Sequence, residues 1–263
     1  MKEDKVFYDT TDNIKLCGLL SKVNDSNKIV VLCHGLKADK TERNSFDVFV
    51  EKLQEQNINS FRFDFRGHGE SFGNDYEMTV SKEVEDLEKT IEFLKQRGFN
   101  EIILLGASFG ASIISLIDYS KYKEVKGLIC WYGALDYKAT IEDEAFFSLE
   151  HKKIAERDGY FPIESKRTGK VFKLGLPLFN EIDEIVPYKK LIEVDLPILF
   201  VHGLSDDMVP YELSVKISKL CKNAKLMLIE NGNHTFNNDK NALDEAIGVS
   251  IEYIKSFLKE EIL

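Results

Sequence analysis

The sequence predicts an α/β protein with a mostly parallel, doubly wound sheet flanked by helices. Short apolar runs alternate along the chain with amphipathic segments of helical period, and this alternation is typical of β–α–β units. Runs such as KIVVLC, EIILL and PILFV are apolar almost throughout instead of alternating with polar residues, as expected of strands covered on both faces. The 263 residues are enough for one large domain, or for one domain with an insertion.

Seven short apolar runs are the strand candidates. In chain order they are 15–20, 29–32, 60–64, 102–105, 127–130, 198–201 and 225–229. Three further segments carry apolar residues on one helical face and are the predicted helices: 46–56, 80–95 and the C-terminal 247–258. In the first of these, Phe46, Phe49 and Leu53 share a face, which indicates that the helix packs on the sheet.

The alternation of strands and helices breaks between residues 132 and 190. This interval contains, in order, a charged helix, a hairpin and an irregular apolar stretch, at 139–159, 160–175 and 174–190. The hairpin turns around Arg167-Thr168-Gly169. We therefore expect residues 132–190 to be an insertion, most simply a lid over the strand ends, in a core made of residues 1–131 and 191–263. An ordinary pair of peripheral helices is the alternative.

Charge and composition narrow the classes of partner. The chain has 45 acidic and 35 basic side chains, a formal net charge of -10, and no long basic run, so nucleic acid and anionic membranes are not expected as partners. No segment approaches the length of a membrane span, and residues 1–16 lack the apolar core of a signal peptide. The four cysteines are far apart and form no C-x-x-C pair, which indicates reduced thiols and a cytoplasmic protein.

A serine stands between two glycines where an apolar strand gives way to an apolar helix. The segment is EIILLGASFGAS, residues 101–112, with Ser108 between Gly106 and Gly110. A sharp strand-to-helix turn crowds the residues two before and two after the serine, so those positions must be small. The pattern G-x-S-x-G is typical of a nucleophile elbow, and the free N–H groups of the following helix favour developing negative charge. An ordinary turn serine is the alternative.

Later segments supply the partners that a nucleophilic serine needs, since its hydroxyl requires a base and the base requires an orienting carboxylate. PILFVHGLSDDMVP is a strand followed by a turn with Asp206 and Asp207, and KLMLIENGNHTF is the next strand followed by a turn with His234. Each candidate follows the carboxyl end of a strand, where α/β folds place their sites. The chain order is serine, acid, histidine. We expect Asp206 to be the acid, with Asp207 as the competing candidate.

Five segments together resemble the α/β-hydrolase superfamily, and the resemblance extends over almost the whole chain. They are LCHGL at 32–36, DFRGHGES at 64–71, GASFG at 106–110, HGLSDDMVP at 202–210 and GNHTF at 232–236. More narrowly, the chain is similar to the serine-aminopeptidase-like and cinnamoyl or feruloyl esterase branch. The resemblance implies an α/β-hydrolase fold with an inserted lid. The branch pattern H-G-x-x-D-x-x-V-P places the acid at Asp206, and the base falls at His234.

The resemblance also implies an oxyanion hole formed by two backbone N–H groups. One belongs to Phe109, directly after the nucleophile, and the other to Leu36, although this chain has HGL where many lipases have HGGG. The candidate substrate-binding residues are Gly35, Trp131 and Asp136, with Tyr132 next to them where the sheet gives way to the insertion. Core packing is an equal alternative for Trp131.

The remaining histidines have structural interpretations. His34 and His202 each begin an H-G pair after a strand, where we expect them to hold loop backbone, while His68 shapes a turn and His151 lies exposed on the charged helix. None of the five histidines is paired at the spacing of metal ligands, so neither a metal nor a cofactor is expected.

These observations predict a serine hydrolase that cleaves small-molecule carboxylic esters through an acyl-enzyme. Apolar residues of the insertion favour a small or medium acyl or aryl group; they are Phe146, Phe147, Leu176, Leu178 and Phe179. Three alternatives stay open: an aminopeptidase-like amide hydrolase that uses the acidic run at 141–144, a thioesterase, and a binding module that has the fold without the catalysis. The sequence also leaves open whether the chain forms a homodimer.

Overall fold

A computed structural model describes residues 3–141, 147–165 and 169–258. Ten strands run through these ranges: β1 (Asp4–Asp9), β2 (Lys15–Ser21), β3 (Lys28–Cys33), β4 (Ser60–Phe63), β5 (Glu101–Ala107), β6 (Val125–Trp131), β7 (Tyr160–Glu164), β8 (Val171–Gly175), β9 (Ile198–Gly203) and β10 (Ala224–Ile229). Eight of them form one sheet in the order β1-β2-β4-β3-β5-β6-β9-β10. The pairs from β4 to β10 are parallel, and β1 and β2 add an antiparallel edge.

Helices cover both faces of the sheet. In chain order they are α1 (Ser45–Glu55), α2 (Val80–Gln96), α3 (Phe109–Leu116), α4 (Tyr137–Ile141), α5 (Leu149–Asp158), α6 (Leu176–Glu184), α7 (Pro187–Leu191), α8 (Tyr211–Ser218) and α9 (Lys240–Leu258). One apolar layer packs under α2, α3 and α8, and the other under α1 and α9. Along β5, Leu104 faces the first layer and Leu105 the second, which is why this strand is apolar at consecutive positions.

The predicted fold class is confirmed: the sheet is mostly parallel, doubly wound and flanked by helices. All seven predicted strands and the three helices predicted outside the insertion are present, with ends that differ by a few residues or, for α9, begin seven residues earlier at Lys240. The expectation of one charged helix over 139–159 was wrong, because α4 ends at Ile141, α5 begins at Leu149 and residues 147 and 148 are not helical. Strand β1 was not among the predicted strands. It is an edge strand with mostly exposed side chains, Phe7 being 45% exposed, so it has no buried pattern for the sequence to display.

The interval between β6 and β9, two neighbours in the sheet, contains α4, α5, the antiparallel hairpin β7–β8, α6 and α7. The hairpin agrees with the expectation, although Arg167 and Thr168 of its turn lie outside the described residues. The expectation of an irregular stretch at 174–190 was wrong. Pro177 and Pro187 stand in the first turns of α6 and α7, where a proline loses no helical hydrogen bond.

Residues of α6 and β8 join the apolar layer under α2 and α3. The insertion therefore rests directly on the core. Its role as a lid stays a prediction. Within the described ranges, no helix combines the length and the apolar character that crossing a bilayer requires.

Candidate active site

Ser108 occupies a strained turn between β5 and α3. Its backbone has φ 51° and ψ −113°, a conformation that non-glycine residues rarely adopt. A Cβ atom at Gly110 would overlap the carbonyl oxygens of Cys33 and His34, and one at Gly106 would overlap the backbone of Gly110. Both glycines are therefore required by the close approach of α3 to the ends of β3 and β5, and the turn leaves the Ser108 hydroxyl at the carboxyl end of the sheet.

The structure brings Ser108, His234 and Asp206 together from three separate loops. His234 Nε2 lies 3.0 Å from Ser108 Oγ, and His234 Nδ1 lies 2.9 Å from Asp206 Oδ2. The ring of His234 is buried, while Asp207 is exposed. Of the two acids considered from the sequence, Asp206 is the one in contact with the imidazole.

Hydrogen bonds hold the Asp206 carboxylate in place on every side. Its Oδ1 accepts the N–H groups of Met208 and Val209, each at 2.9 Å, and its Oδ2 accepts from His202 Nε2 at 2.9 Å as well as from His234. Burial opposes ionisation, but the hydrogen bonds from His202 and His234 outweigh it and hold the pKa of Asp206 well below its ordinary value. The carboxylate is thus ionised and fixed in orientation.

His202 does more than hold loop backbone, the role expected from the sequence. Its Nε2 lies 3.0 Å from the carbonyl oxygen of Val209 and 2.9 Å from Asp206 Oδ2, and Ser214 Oγ lies 2.8 Å from its Nδ1. Because both neighbours of Nε2 are acceptors, Nε2 carries the proton and Nδ1 accepts from the Ser214 hydroxyl. His202 and Asp206 are four residues apart across a turn, and this spacing is the feature of the sequence that indicates their contact.

The loop after β3 contributes the second side of the site. Gly35 N–H donates to Glu42 Oε2 at 2.6 Å, His34 Nδ1 donates to the Gly35 carbonyl at 2.8 Å, and His34 Nε2 accepts the N–H of Phe65 at 3.1 Å. His34 therefore holds loop backbone, as expected. The loop brings Leu36 to the same pocket as Phe109 and Ser108, and within the described residues neither the Leu36 nor the Phe109 N–H has an acceptor.

The pocket above Ser108 is narrow, with a cavity of about 40 Å³. Most of its wall is apolar, formed by Leu36, Phe109, Phe147, Met208 and Val209. Two charged residues, Glu42 and Arg43, also line it. Neither residue belongs to a motif that the sequence displays.

The candidate substrate-binding residues have different positions. Gly35 lines the pocket. Trp131 lies in the apolar layer under α1 and α9, where its indole N–H donates to Ser250 Oγ at 2.9 Å and its ring stacks on Phe49. Asp136 accepts the N–H of Lys138 at the start of α4 and is not part of the pocket wall.

The residue after Trp131 has a closer relation to the site. The ring of Tyr132 packs against the His234 imidazole with centroids 4.8 Å apart. Tyr132 is fully buried and has a positive φ of 37°. In the part of the chain that the structure describes, no group of three His, Cys, Asp or Glu side chains could hold a metal ion.

The strand order and the loops that converge at the carboxyl edge of the sheet define an α/β hydrolase. Residues 24–157, just over half of the chain, match the family model described as serine aminopeptidase, S33. The chain belongs to this family, Hydrolase_4, and the superfamily resemblance is confirmed.

Relatives agree with this placement. The chain is 28% identical over 176 residues to the bovine (Bos taurus) palmitoyl-protein thioesterase ABHD10, mitochondrial, covering 66% of this chain and 56% of the relative. It is 26% identical over 190 residues to the uncharacterized protein YfhR of Escherichia coli K12, covering 70% and 56%. The chain spans little more than half the length of these curated relatives.

Two solved structures have the same fold. Est1E from Butyrivibrio proteoclasticus, with ferulic acid bound, superposes with a TM-score of 0.78 at 24% identity, over 95% of this chain and 99% of the other. Mouse α/β-hydrolase domain-containing protein 10 superposes with a TM-score of 0.75 at 20% identity, over 97% and 99%. At these identities the likeness establishes the fold alone.

Proposed function

We propose that this protein is a serine hydrolase that cleaves carboxylic esters through an acyl-enzyme, with Ser108 as nucleophile, His234 as base and Asp206 as orienting acid. The observation that carries the proposal is the unbroken hydrogen-bond chain from the Ser108 hydroxyl through the His234 imidazole to the Asp206 carboxylate, at 3.0 and 2.9 Å. A strained serine at the end of a strand, joined to such a chain, has the geometry of an activated nucleophile.

The steps follow from the tautomer of His234. Because Nδ1 donates to Asp206, Nε2 is free to take the hydroxyl proton as Ser108 attacks the ester carbonyl. The N–H groups of Leu36 and Phe109 then hold the oxyanion. His234 returns the proton to the departing alcohol, and water repeats the cycle on the acyl-enzyme. None of these steps requires a cofactor or a metal.

The pocket supports a small or aryl acyl group. Its wall is mostly apolar and its free volume is small. Of the five insertion residues expected to line it, Phe147 does so. Leu178 and Phe179 are buried in the apolar layer under α2 and α3, Leu176 is partly buried against the same layer, and Phe146 lies outside the described residues. We propose residues 132–190 as a lid that admits larger substrates when Phe147 moves.

A thioesterase is the second candidate, because a relative that is 28% identical carries the name palmitoyl-protein thioesterase. The same three residues would serve either reaction, since a thioester also forms an oxyanion and an acyl-enzyme. The aminopeptidase alternative depended on the acidic run at 141–144, and Glu142, Asp143 and Glu144 lie outside the described residues. The family name alone keeps it in the test. The homodimer and the cytoplasmic location also stay predictions.

The test is Ser108→Ala assayed on three matched substrates: 4-nitrophenyl butyrate, a butyryl thioester and an aminoacyl 4-nitroanilide. We expect the wild type to prefer the oxygen ester and the variant to lose about 10⁶-fold in kcat. Ser120→Ala is the control, because this hydroxyl lies on the surface and bonds to Asp118. A variant within about tenfold of the wild type would remove Ser108 from the mechanism. Preference for the thioester or the anilide would reassign the substrate class.

A further inference from the structure

Arg43 lines the pocket together with Ser108 and His234. It is half-buried. Within the described residues, no hydrogen bond, ion pair or aromatic ring engages its guanidinium. A guanidinium in such a position is a strong recognition group for an anion, because it offers planar, paired donors and always carries charge.

The other arginines of the described ranges show how unusual this is. Arg62 bonds to the carboxylates of Glu3 and Asp47, and Arg66 to those of Asp12 and Asp86. On the surface, Arg157 pairs with Asp158, and Arg97 lies over the ring of Phe93. The chain has ten more acidic than basic side chains, yet no carboxylate of the described residues pairs with the arginine beside the proposed nucleophile.

The backbone that carries Arg43 is strained. Three successive residues have positive φ values: 41° at Glu42, 56° at Arg43 and 81° at Asn44. Each such residue costs on the order of 1 kcal/mol, and strain of this kind persists where the surroundings enforce it. Here the Glu42 carboxylate is fixed by the Gly35 N–H, and Ser45 Oγ bonds to the carbonyl of Thr235 at 3.3 Å.

Two carboxylates of the site, those of Glu42 and Asp206, already accept hydrogen bonds from other groups. Glu42, the neighbour of Arg43 in the chain, accepts the Gly35 N–H. Asp206 accepts two backbone N–H groups and two imidazoles. In the described part of the chain, neither carboxylate forms an ion pair with Arg43. Arg43 therefore lines the substrate pocket as a cation that no carboxylate of the described residues pairs with.

We propose that Arg43 binds an anionic oxygen group, a carboxylate or a phosphate, carried by the ester substrate. The enzyme then selects anionic esters over neutral esters of the same size. This inference rests on the proposed function, since the pocket is taken to be the ester site. It narrows the substrate class from small or aryl esters to those with a negative charge a few atoms from the scissile carbonyl.

The kinetic test compares matched pairs of substrates. The first pair, mono-4-nitrophenyl glutarate and its methyl ester, tests a carboxylate on the acyl side. The second pair, 4-(carboxymethyl)phenyl butyrate and its methyl ester, tests a carboxylate on the alcohol side. The third pair, butyryl glycerol phosphate and butyryl glycerol, tests a phosphate. In the wild type we expect kcat/KM to favour the anionic member of at least one pair. Arg43→Gln should lower that anionic-to-neutral ratio about 10- to 100-fold, and Arg43→Lys should restore part of it.

Arg157→Gln is the matched control, because it removes the same side chain from an exposed pair in the insertion. Its ratio should equal that of the wild type. A wild type that prefers the neutral member of every pair, or an Arg43→Gln variant with an unchanged ratio, overturns the proposal.

A binding measurement separates this proposal from the esterase itself. The Ser108→Ala protein is titrated calorimetrically with mono-4-nitrophenyl glutarate and with its methyl ester, with and without Arg43→Gln. If Arg43→Gln lowers the affinity for the anion, and not for the methyl ester, by 10- to 100-fold, Arg43 binds the anionic group. This result supports the anion site even if the protein hydrolyses no ester and the proposed function fails. Equal affinities with and without Arg43 refute the site even where ester hydrolysis is found.

Discussion

Asp206→Asn changes one atom of the site and has an outcome that the hydrogen bonds determine. Asp206 Oδ1 accepts two backbone N–H groups and Oδ2 accepts from His202, while His234 Nδ1 lies 2.9 Å from Oδ2 and 3.0 Å from Oδ1. An asparagine can keep its carbonyl oxygen where the two backbone donors need it. Its NH₂ group then replaces Oδ2 and faces the N–H groups of both imidazoles. The opposite orientation is worse, because backbone N–H groups cannot change into acceptors.

A change of tautomer relieves this conflict at each histidine. The other course for His234 is to keep its proton on Nδ1 and donate it to the remaining oxygen, which lies 3.0 Å away but already accepts two backbone N–H groups. If His234 takes the proton on Nε2, Nδ1 accepts from the new amide, but Nε2 then points its proton at Ser108 Oγ and can no longer act as base. A wrong-tautomer substitution in a Ser-His-Asp triad lowers kcat about 10⁴-fold, which corresponds to about 5.5 kcal/mol in the barrier. His202 meets the same conflict, and the Val209 carbonyl, which bonds to its Nε2 at 3.0 Å, loses its donor.

The assay is steady-state hydrolysis of 4-nitrophenyl butyrate, with thermal unfolding to verify that the variant folds. Asp207→Asn is the matched control, since it removes the same charge from the next, exposed residue, and we expect it to stay within about twofold of the wild type. A folded Asp206→Asn variant that retains more than a tenth of the activity would refute the predicted change of tautomer and show that His234 still donates its Nδ1 proton to residue 206. Loss of activity in Asp207→Asn alone would transfer the role to the neighbour.

Three further predictions concern His202, the buried Glu83 of α2, and the glycine at position 110. His202→Asn removes a donor from Asp206 and should lower kcat/KM about tenfold and shift the acid limb of its pH profile; an unchanged profile would make His202 merely structural. Burial, helped by Asp86, raises the pKa of Glu83 well above its ordinary value, so the folded state holds a proton that the unfolded state loses above about pH 4.3. The free energy of unfolding therefore falls as pH rises above this value, by at most about 1.4 kcal/mol per pH unit. Glu83→Gln should flatten this pH dependence, measured by urea unfolding between pH 5 and 8. An equal slope in both proteins would contradict the raised pKa of Glu83. Gly110→Ala forces a methyl group onto two carbonyl oxygens and should cost about 3 kcal/mol, while Gly248→Ala, in open space on α9, should gain about 1 kcal/mol; equal effects of the two on unfolding would show that the elbow tolerates a side chain.

The strands and the elbow could be predicted because their signals are local. An apolar run bounded by turn residues predicts a strand, and G-x-S-x-G predicts the turn at Ser108 without knowledge of any distant contact. The strand ends of a parallel sheet meet at one edge, so the loops with Asp206 and His234 could also be placed there. The choice between Asp206 and Asp207 is harder to predict, because it depends on how the turn after β9 directs two neighbouring side chains.

The side of the sheet that each residue faces could not be predicted. In β6, Leu128 and Cys130 face one layer while Ile129 and Trp131 face the other. Because both faces are buried, the strand has no alternation of polar and apolar residues from which a direction could be inferred. Trp131 therefore packs on α1 and α9, and the residue beside His234 is Tyr132.

Arg43 escaped prediction for a different reason. Thr41, Glu42 and Arg43 have no turn signature, and the glutamate and arginine favour helix, yet the chain takes three left-handed steps at Glu42, Arg43 and Asn44. Local preference and structure disagree in the loop that follows β3, and they disagree again at Ser108, directly after β5. These strands are neighbours and are buried on both faces, so their burial stabilises the fold while the loops at their ends store strain. Both strained segments border one pocket. The proposed nucleophile stands in one of these two strained loops, and the other carries an arginine that no carboxylate of the described residues pairs with. This arrangement agrees with the proposed selection of a charged substrate.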